Sequence, residues 1–211
     1  MASKSLLDWP RESTISTIFF SLGGLLIDLS AIPVSRFLSS PTGLSARFLT
    51  PLLSGTLLRV SNGASAIESK PLKAVALLSL FYVFGVFVLS AIMSVTAQLM
   101  GNKTGYKNKE PRLIKRHLTG LPHRMVATHE ALYDIFPAYA LAAALFASSV
   151  SASDRLTPAG STALNALVLH VFLKLFVFAP AYVLDVDLVR TCSHVTALGA
   201  ILNAFWDVAV A

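Results

Sequence analysis

The sequence predicts an all-α integral membrane protein, built as an up-down bundle of four spanning helices. Hydrophobic residues make up 55% of its 211 residues and charged residues only 13%, with a mean hydropathy of +0.68. This composition is too apolar for a soluble domain. Four long apolar segments follow one another, and the connections between them are short. Short connections place consecutive helices beside each other in antiparallel order, which gives the bundle.

The first of these segments is the clearest, because residues 74–101 contain no charged side chain. Its length exceeds the roughly 20 residues that an apolar helix needs to cross a bilayer. The other three segments are residues 125–150, 162–184 and 191–210. Pro137 lies inside the second of them, where we expect it to break or bend the helix.

Charge predicts how the bundle is oriented. The loop of residues 102–123 carries six Lys and Arg residues against the single Glu110, which by the positive-inside rule places it in the cytosol. We expect the protein in the endoplasmic reticulum membrane. The basic loop is either a topology signal alone, or it also attracts anionic lipid headgroups or an anionic co-substrate. Because the net charge of +6 comes largely from this loop, nucleic acid is not an expected partner.

Residues 1–71 form an N-terminal extension, and residues 72–211 form the membrane domain. Two apolar stretches in the extension, Thr14 to Ile27 and Leu44 to Val60, are shorter or more charged than the four main segments. They are compatible with a signal anchor, a pair of interfacial helices or a cleaved targeting sequence. We favour a retained extension that adds a fifth membrane helix, either complete or partial, to the bundle.

Ionisable side chains interrupt the second and third segments, where they are costly unless paired, hydrated or used in chemistry. At helical spacing Arg124 and Asp134 share one stripe, with Glu130 beside it. His170 and Lys174 lie four residues apart on one face of the third segment. We expect Lys174 to pair with Asp134 or Glu130. These side chains can equally form a structural network between helices. The five histidines are too scattered to predict a metal site.

The order of these elements resembles the MAPEG family, the membrane-associated proteins of eicosanoid and glutathione metabolism, over residues 72–211. The second helix of that family typically reads Arg-x-x-Arg-Ala-His-x-Asn-x-x-Glu followed by Pro. The positions that match this pattern are Arg124, His129, Asp134 and Pro137. The positions that match the family's loop are Asn108, Pro111 and Arg112; Tyr182 matches its third helix, and Arg190 and Thr191 match its fourth.

The resemblance implies a homotrimer that binds glutathione between subunits at the cytosolic side of the membrane and takes an apolar substrate from the bilayer. It implies that Arg190 stabilises the glutathione thiolate or an oxyanion and that Thr191 donates a hydrogen bond. Asp134 would accept from the glutathione ammonium, and His129 would belong to the catalytic group. The residues that would position the tripeptide are Arg112, Arg124 and Tyr182. No metal is implied.

Two departures from the family pattern matter, because Ala127 replaces its second Arg and Ala131 replaces its Asn. Each lost charge-assisted hydrogen bond is worth roughly 1.5–3 kcal/mol. Three hypotheses follow. The protein is a glutathione-dependent transferase, peroxidase or isomerase acting on an apolar substrate. Alternatively, it is a glutathione-independent isomerase or cyclase whose acid–base residues are Glu130, His170 and Lys174. The third hypothesis is a non-catalytic membrane scaffold.

Overall fold

A computed structural model describes residues 26, 29–52, 71–101, 115–153 and 158–210. These residues are helical almost throughout and include no β-strand, which confirms the all-α prediction. We number the helices α1 to α6 along the chain. Their bounds are residues 29–39 for α1, 44–52 for α2, Pro71–Gly101 for α3, Gly120–Ser153 for α4, 158–183 for α5 and Asp187–Ala209 for α6.

Three helices are long and apolar enough to cross a membrane: Pro71–Gly101, Gly120–Val150 and Gly160–Val183. They correspond to the first three predicted spans. Helix α6 occupies the place of the fourth predicted span and has sufficient length, with 23 residues. It does not reach the same apolarity, since it includes several charged or strongly polar side chains. Those side chains are Asp187, Arg190, His194, Asn203 and Asp207.

Helix α5 lies at the centre of the packing, in contact with α3, α4 and α6. Small residues line these contacts, because Ala163 and Ala166 of α5 and Ala197, Ala200 and Ala204 of α6 have no exposed area. Small side chains let helix backbones approach closely, which drives helix association in a membrane. The outer face of α3, in contrast, exposes large apolar side chains such as Leu80, Ile92 and Met100, as expected beside lipid.

Pro137 does not break the second spanning helix. Helix α4 runs continuously from Gly120 to Ser153 with Pro137 inside it. The expected break is therefore wrong, whereas the alternative of a bend stays a prediction. Residues on both sides of Pro137 in α4, such as Leu132, Tyr139 and Ala142, are buried.

Helices α1 and α2 pack on the ends of α5 and α6. The Asn203 side-chain amide of α6 donates to the Ile32 carbonyl at 2.9 Å and to the Ser35 hydroxyl at 2.7 Å. Arg36 forms an ion pair of 3.3 Å with Asp207. In α2, the Ser45 hydroxyl donates to the Asn165 carbonyl at 2.6 Å. Polar contacts thus fasten the N-terminal segment to the main bundle.

The described part of this segment contains α1 and α2, and both helices adjoin residues that the structure does not describe. Their described lengths do not test the expected fifth helix, which stays a prediction. The predicted stretch Thr14 to Ile27 and the second half of Leu44 to Val60 lie outside the described residues, apart from Leu26.

Candidate functional site

The start of α4, the end of α5 and the start of α6 meet at one end of the bundle. Arg124 of α4 donates through Nε to the Val183 carbonyl at 3.1 Å and through Nη1 to the Asp185 carboxylate at 3.1 Å. Asp185 has a positive φ of 65°, which tightens the turn between α5 and α6. These contacts bring the three helix ends together. We call this region, with Lys115, Arg116, Glu130, Tyr182, Asp187 and Arg190, the basic end.

Arg190 opens α6 at the same turn. Its guanidinium forms an ion pair of 2.8 Å with Asp187, three residues earlier. The guanidinium also lies over the ring of Tyr182, with its carbon 4.8 Å from the ring centroid. Arg124, Tyr182 and Arg190, three of the residues expected to hold glutathione, therefore surround a single turn. Stacking on an aromatic ring orients a guanidinium without consuming its hydrogen-bond donors.

A cavity of about 360 Å³ lies at the start of α4, between this helix and residues 115–116. Its wall includes Ala127 and Glu130 of α4, and Glu130 forms an ion pair of 3.1 Å with Lys115. Arg116 and His123 also line it. The resemblance leads us to expect an arginine at position 127, where this chain has alanine. The Lys and Arg side chains that line the cavity are instead those of Lys115 and Arg116.

Of the other residues expected to act on glutathione, Thr191 lies near this turn, Asp134 lies apart from it, and Arg112 is not among the described residues. Asp134 is exposed, ten residues beyond Arg124 and so about 15 Å further along α4. Thr191 is exposed next to Arg190. Arg112 lies outside the described residues. Within one chain, Asp134 therefore does not join Arg124 and Arg190.

The acid–base residues of the third segment lie in the interior. His170 has no exposed area; its Nδ1 lies 2.9 Å from the Ala197 carbonyl and its Nε2 lies 3.1 Å from the Tyr82 hydroxyl. The Tyr82 ring packs edge-on against both His170 and Tyr139. The Tyr139 hydroxyl in turn lies 3.1 Å from that of Ser79. Helices α3, α4, α5 and α6 all contribute to this group.

Lys174 extends the group by one turn of α5. Its Nζ lies 2.8 Å from Nδ1 of His194 and 4.1 Å from the centroid of the Phe178 ring. The expected pairing of Lys174 with Asp134 or Glu130 is wrong. Lys174 faces α6 rather than α4, and Glu130 pairs with Lys115. We call the internal group the buried polar centre; its members are Ser79, Tyr82, Tyr139, His170, Lys174 and His194.

His129 belongs to neither group. Its Nδ1 lies 2.8 Å from the hydroxyl oxygen of Ser90 in α3, and its ring is partly exposed. Ser90 is buried, with 4% of its surface exposed, and its hydroxyl also donates to the Val86 carbonyl. Sequence reasoning selected His129 but missed Ser90, because a serine inside an apolar helix gives little signal.

Sequence reasoning also missed most of the buried polar centre. Tyr82 and Tyr139 are polar aromatic residues inside apolar spans, and a buried tyrosine usually finds a hydrogen-bond partner. That signal could have marked both residues as inward-facing. It could not have named their partners, which come from other helices.

Among the described residues, no three His, Cys, Asp or Glu side chains lie close enough together to hold a metal ion. Comparisons with protein-family models, with curated proteins and with solved structures find no match to this chain. The resemblance to the MAPEG family therefore stays a prediction from the sequence.

Proposed function

We propose that this protein is a membrane-embedded enzyme that uses glutathione in a transferase, peroxidase or isomerase reaction on an apolar substrate. The observation that carries the proposal is the convergence of Arg124 and Arg190, from two different helices, on the turn between α5 and α6. Glutathione carries carboxylates at both ends, and arginine pairs well with carboxylates. An arginine near the thiol also stabilises the reactive thiolate.

Both arginines can exchange their present aspartate partner for a carboxylate of a ligand. Each is paired with an aspartate that remains largely in solvent, since the side chain of Asp185 is 55% exposed and that of Asp187 is 77% exposed. Exposed ion pairs contribute only about 0–1 kcal/mol. A carboxylate of an incoming ligand therefore displaces these aspartates at little cost.

The neighbouring cavity supports binding of an anion at the same end. Lys115 and Arg116 line it, and they partly replace the positive charge that Ala127 lacks. The loop before them, residues 102–114, adds four more Lys and Arg residues against one Glu. A concentration of positive charge at the membrane surface attracts anionic ligands.

Asp134 supports an assembly of several subunits. It is exposed among the described residues, although it lies within the spanning segment Gly120–Val150. A carboxylate facing lipid is costly unless protein or water covers it. A second copy in the proposed homotrimer would cover Asp134 and would bring it towards glutathione held by its neighbour. In the proposed four-span arrangement, α6 is the fourth spanning helix, and its polar side chains Asn203 and Asp207 already have partners within the chain.

The glutathione-independent alternative based on His170 and Lys174 has less support. Neither side chain has exposed area, and both have hydrogen-bond partners inside the protein. A substrate would have to separate the helices to reach them. Their contacts fit a role in holding four helices together.

Glutathione binding by calorimetry, on the purified protein in detergent, tests the proposal. We expect a dissociation constant in the micromolar to millimolar range, weakened about tenfold or more by Arg190→Ala because a charge-assisted pair is lost. Arg47→Ala is the matched control, since Arg47 is an exposed arginine in α2, away from the basic end. Equal binding by wild type and Arg190→Ala would contradict the assignment of the site. No binding at high millimolar glutathione would exclude the function.

A further inference from the structure

A second cavity of about 360 Å³ lies along the spanning helices, where α3, α4 and α5 meet, and it opens outwards past the exposed rings of Phe84 and Phe176. Its wall is almost entirely apolar and includes Phe81, Phe84 and Met93 of α3 and Phe176 of α5. Ser90 is also part of the wall. The volume falls near the lower end of the roughly 300–1,000 Å³ typical of ligand pockets. A small apolar molecule with one polar group matches a wall of this kind.

Irregular helical turns frame this cavity on both sides. In α3, residues Phe84–Leu89 form a π-helix that ends where the Ser90 amide donates to the Gly85 carbonyl. In α5, residues Leu173–Phe178 form a second π-helix. Single π-helical turns inside α-helices are rare and are frequent at functional sites. Both segments contribute to the cavity wall.

Gly85 brings the two π-helices together beside the cavity. A Cβ atom at position 85 would lie 2.8 Å from both methyl carbons of Leu175, which is too close for an unchanged structure. The glycine thus allows contact at this point, whereas Ser90 and Phe176 stand around open space. The cavity is a product of backbone geometry as well as of side-chain size.

The hydrogen bonds of Ser90 determine what its oxygen can offer. A hydroxyl group has one proton and two acceptor positions. Ser90 gives its proton to the Val86 carbonyl, so the contact with His129 requires Nδ1 of His129 to be the donor. One acceptor position of the Ser90 oxygen is then left. A ligand group that occupies this acceptor position must be a hydrogen-bond donor, such as a hydroxyl.

We propose that this cavity binds an apolar alcohol or phenol, whose ring or chain lies against the phenylalanines and whose hydroxyl donates to Ser90. The site goes beyond the proposed glutathione chemistry. Ser90 is eleven residues from the end of α3 at Gly101, which is about 16 Å along this helix. His129 holds Ser90 in place from α4 and acts here as a positioning residue.

Binding of 1-naphthol tests the site, with 1-methoxynaphthalene as the paired ligand that keeps the oxygen but has no proton to donate. Equilibrium dialysis of each ligand against the protein in detergent micelles, with empty micelles as the reference, gives the two affinities without glutathione. We expect saturable binding with a preference of about three- to tenfold for 1-naphthol. The result is thus independent of the proposed function.

Ser90→Ala should bind both ligands with equal affinity. Ser94→Ala is the matched control, because Ser94 is equally buried, lies one turn later on α3 and does not line the cavity. It should retain the preference for 1-naphthol. Circular dichroism and gel filtration check that both variants fold. If Ser90→Ala does not fold, the affinities of the wild type for 1-naphthol and for 1-methoxynaphthalene decide the test.

Three results would overturn the proposal. Equal affinity of the wild type for both ligands would mean that the cavity takes any apolar group, such as a lipid acyl chain. No saturable binding above that of empty micelles would mean that it holds neither ligand. Loss of the preference in Ser94→Ala as well would also remove Ser90 from the role proposed.

Discussion

The buried polar centre and the basic end contain the same kinds of side chain in opposite settings. In the buried polar centre, His170 and Lys174 have no exposed area and are hydrogen-bonded to groups on other helices. At the basic end, Arg124 and Arg190 pair with aspartates that remain mostly in solvent. Polar residues in spanning helices therefore do not all indicate chemistry. Their partners separate those that hold helices together from those that can exchange a partner for a ligand.

The largest effect should follow from His170→Ala. The change removes hydrogen bonds to the Tyr82 hydroxyl and the Ala197 carbonyl and leaves a void among four helices. We expect the free energy of unfolding to fall by about 2–4 kcal/mol. Unfolding by increasing dodecyl sulfate in mixed micelles, followed by circular dichroism, measures it.

His117→Ala is the control for this change, because His117 is exposed. It should alter stability by less than about 0.5 kcal/mol. The folded His170→Ala protein should bind glutathione as the wild type does. Loss of glutathione binding by a fully folded His170→Ala protein would contradict the conclusion that the buried polar centre takes no part in ligand binding.

A smaller effect is expected from Arg36→Ala. This change tests an ion pair in which one partner is exposed, as at the basic end, and the other is buried, as in the buried polar centre. The Arg36 side chain is 50% exposed, but that of Asp207 is only 3% exposed. Removing the arginine leaves a buried carboxylate without its cation, and we expect a loss of about 1–3 kcal/mol in the same unfolding experiment. Adding Asp207→Asn should restore part of the stability, and a further loss instead would show that the pair is not the cause.

The smallest effect should follow from Asp187→Asn. Under the proposed function, the variant removes a carboxylate that would compete with glutathione for Arg190, so affinity should rise by about two- to fivefold. Calorimetry at low and high salt measures the change, and salt should reduce the difference because the pair is exposed. Weaker binding would mean that Asp187 orients Arg190 for the ligand rather than competing with it.

The long helices could be predicted from the sequence because their signal is local. An uncharged run such as residues 74–101 is sufficient to indicate a spanning helix. Helix α1 was not predicted, since it contains Pro33 and Arg36 and gains its contacts from α6. The partner of Lys174 could not be predicted for the same reason, because it is His194 on another helix. The helical period gives the face on which a side chain lies, but not the helix that meets that face.

The two π-helices gave no signal at all. Their residues are apolar apart from Gly85 and Lys174, and an extra residue in a turn changes no pattern where almost every position is apolar. The cavity beside Ser90 therefore could not be predicted. At the basic end, Arg124, Tyr182 and Arg190 were selected by the resemblance to the MAPEG family, and the structure places them around one turn.

The hydrogen bond from Asn203 to Ile32 joins residues 171 positions apart, and it sets an order of events during synthesis. Ribosomes add about 5–20 residues per second, so α1 is made roughly 10–30 s before Asn203. Until Asn203 is made, the Ile32 carbonyl cannot accept its hydrogen bond. Helix α1, the first that the structure describes, is therefore made before the helix on which it packs, and truncation of α6 removes this contact.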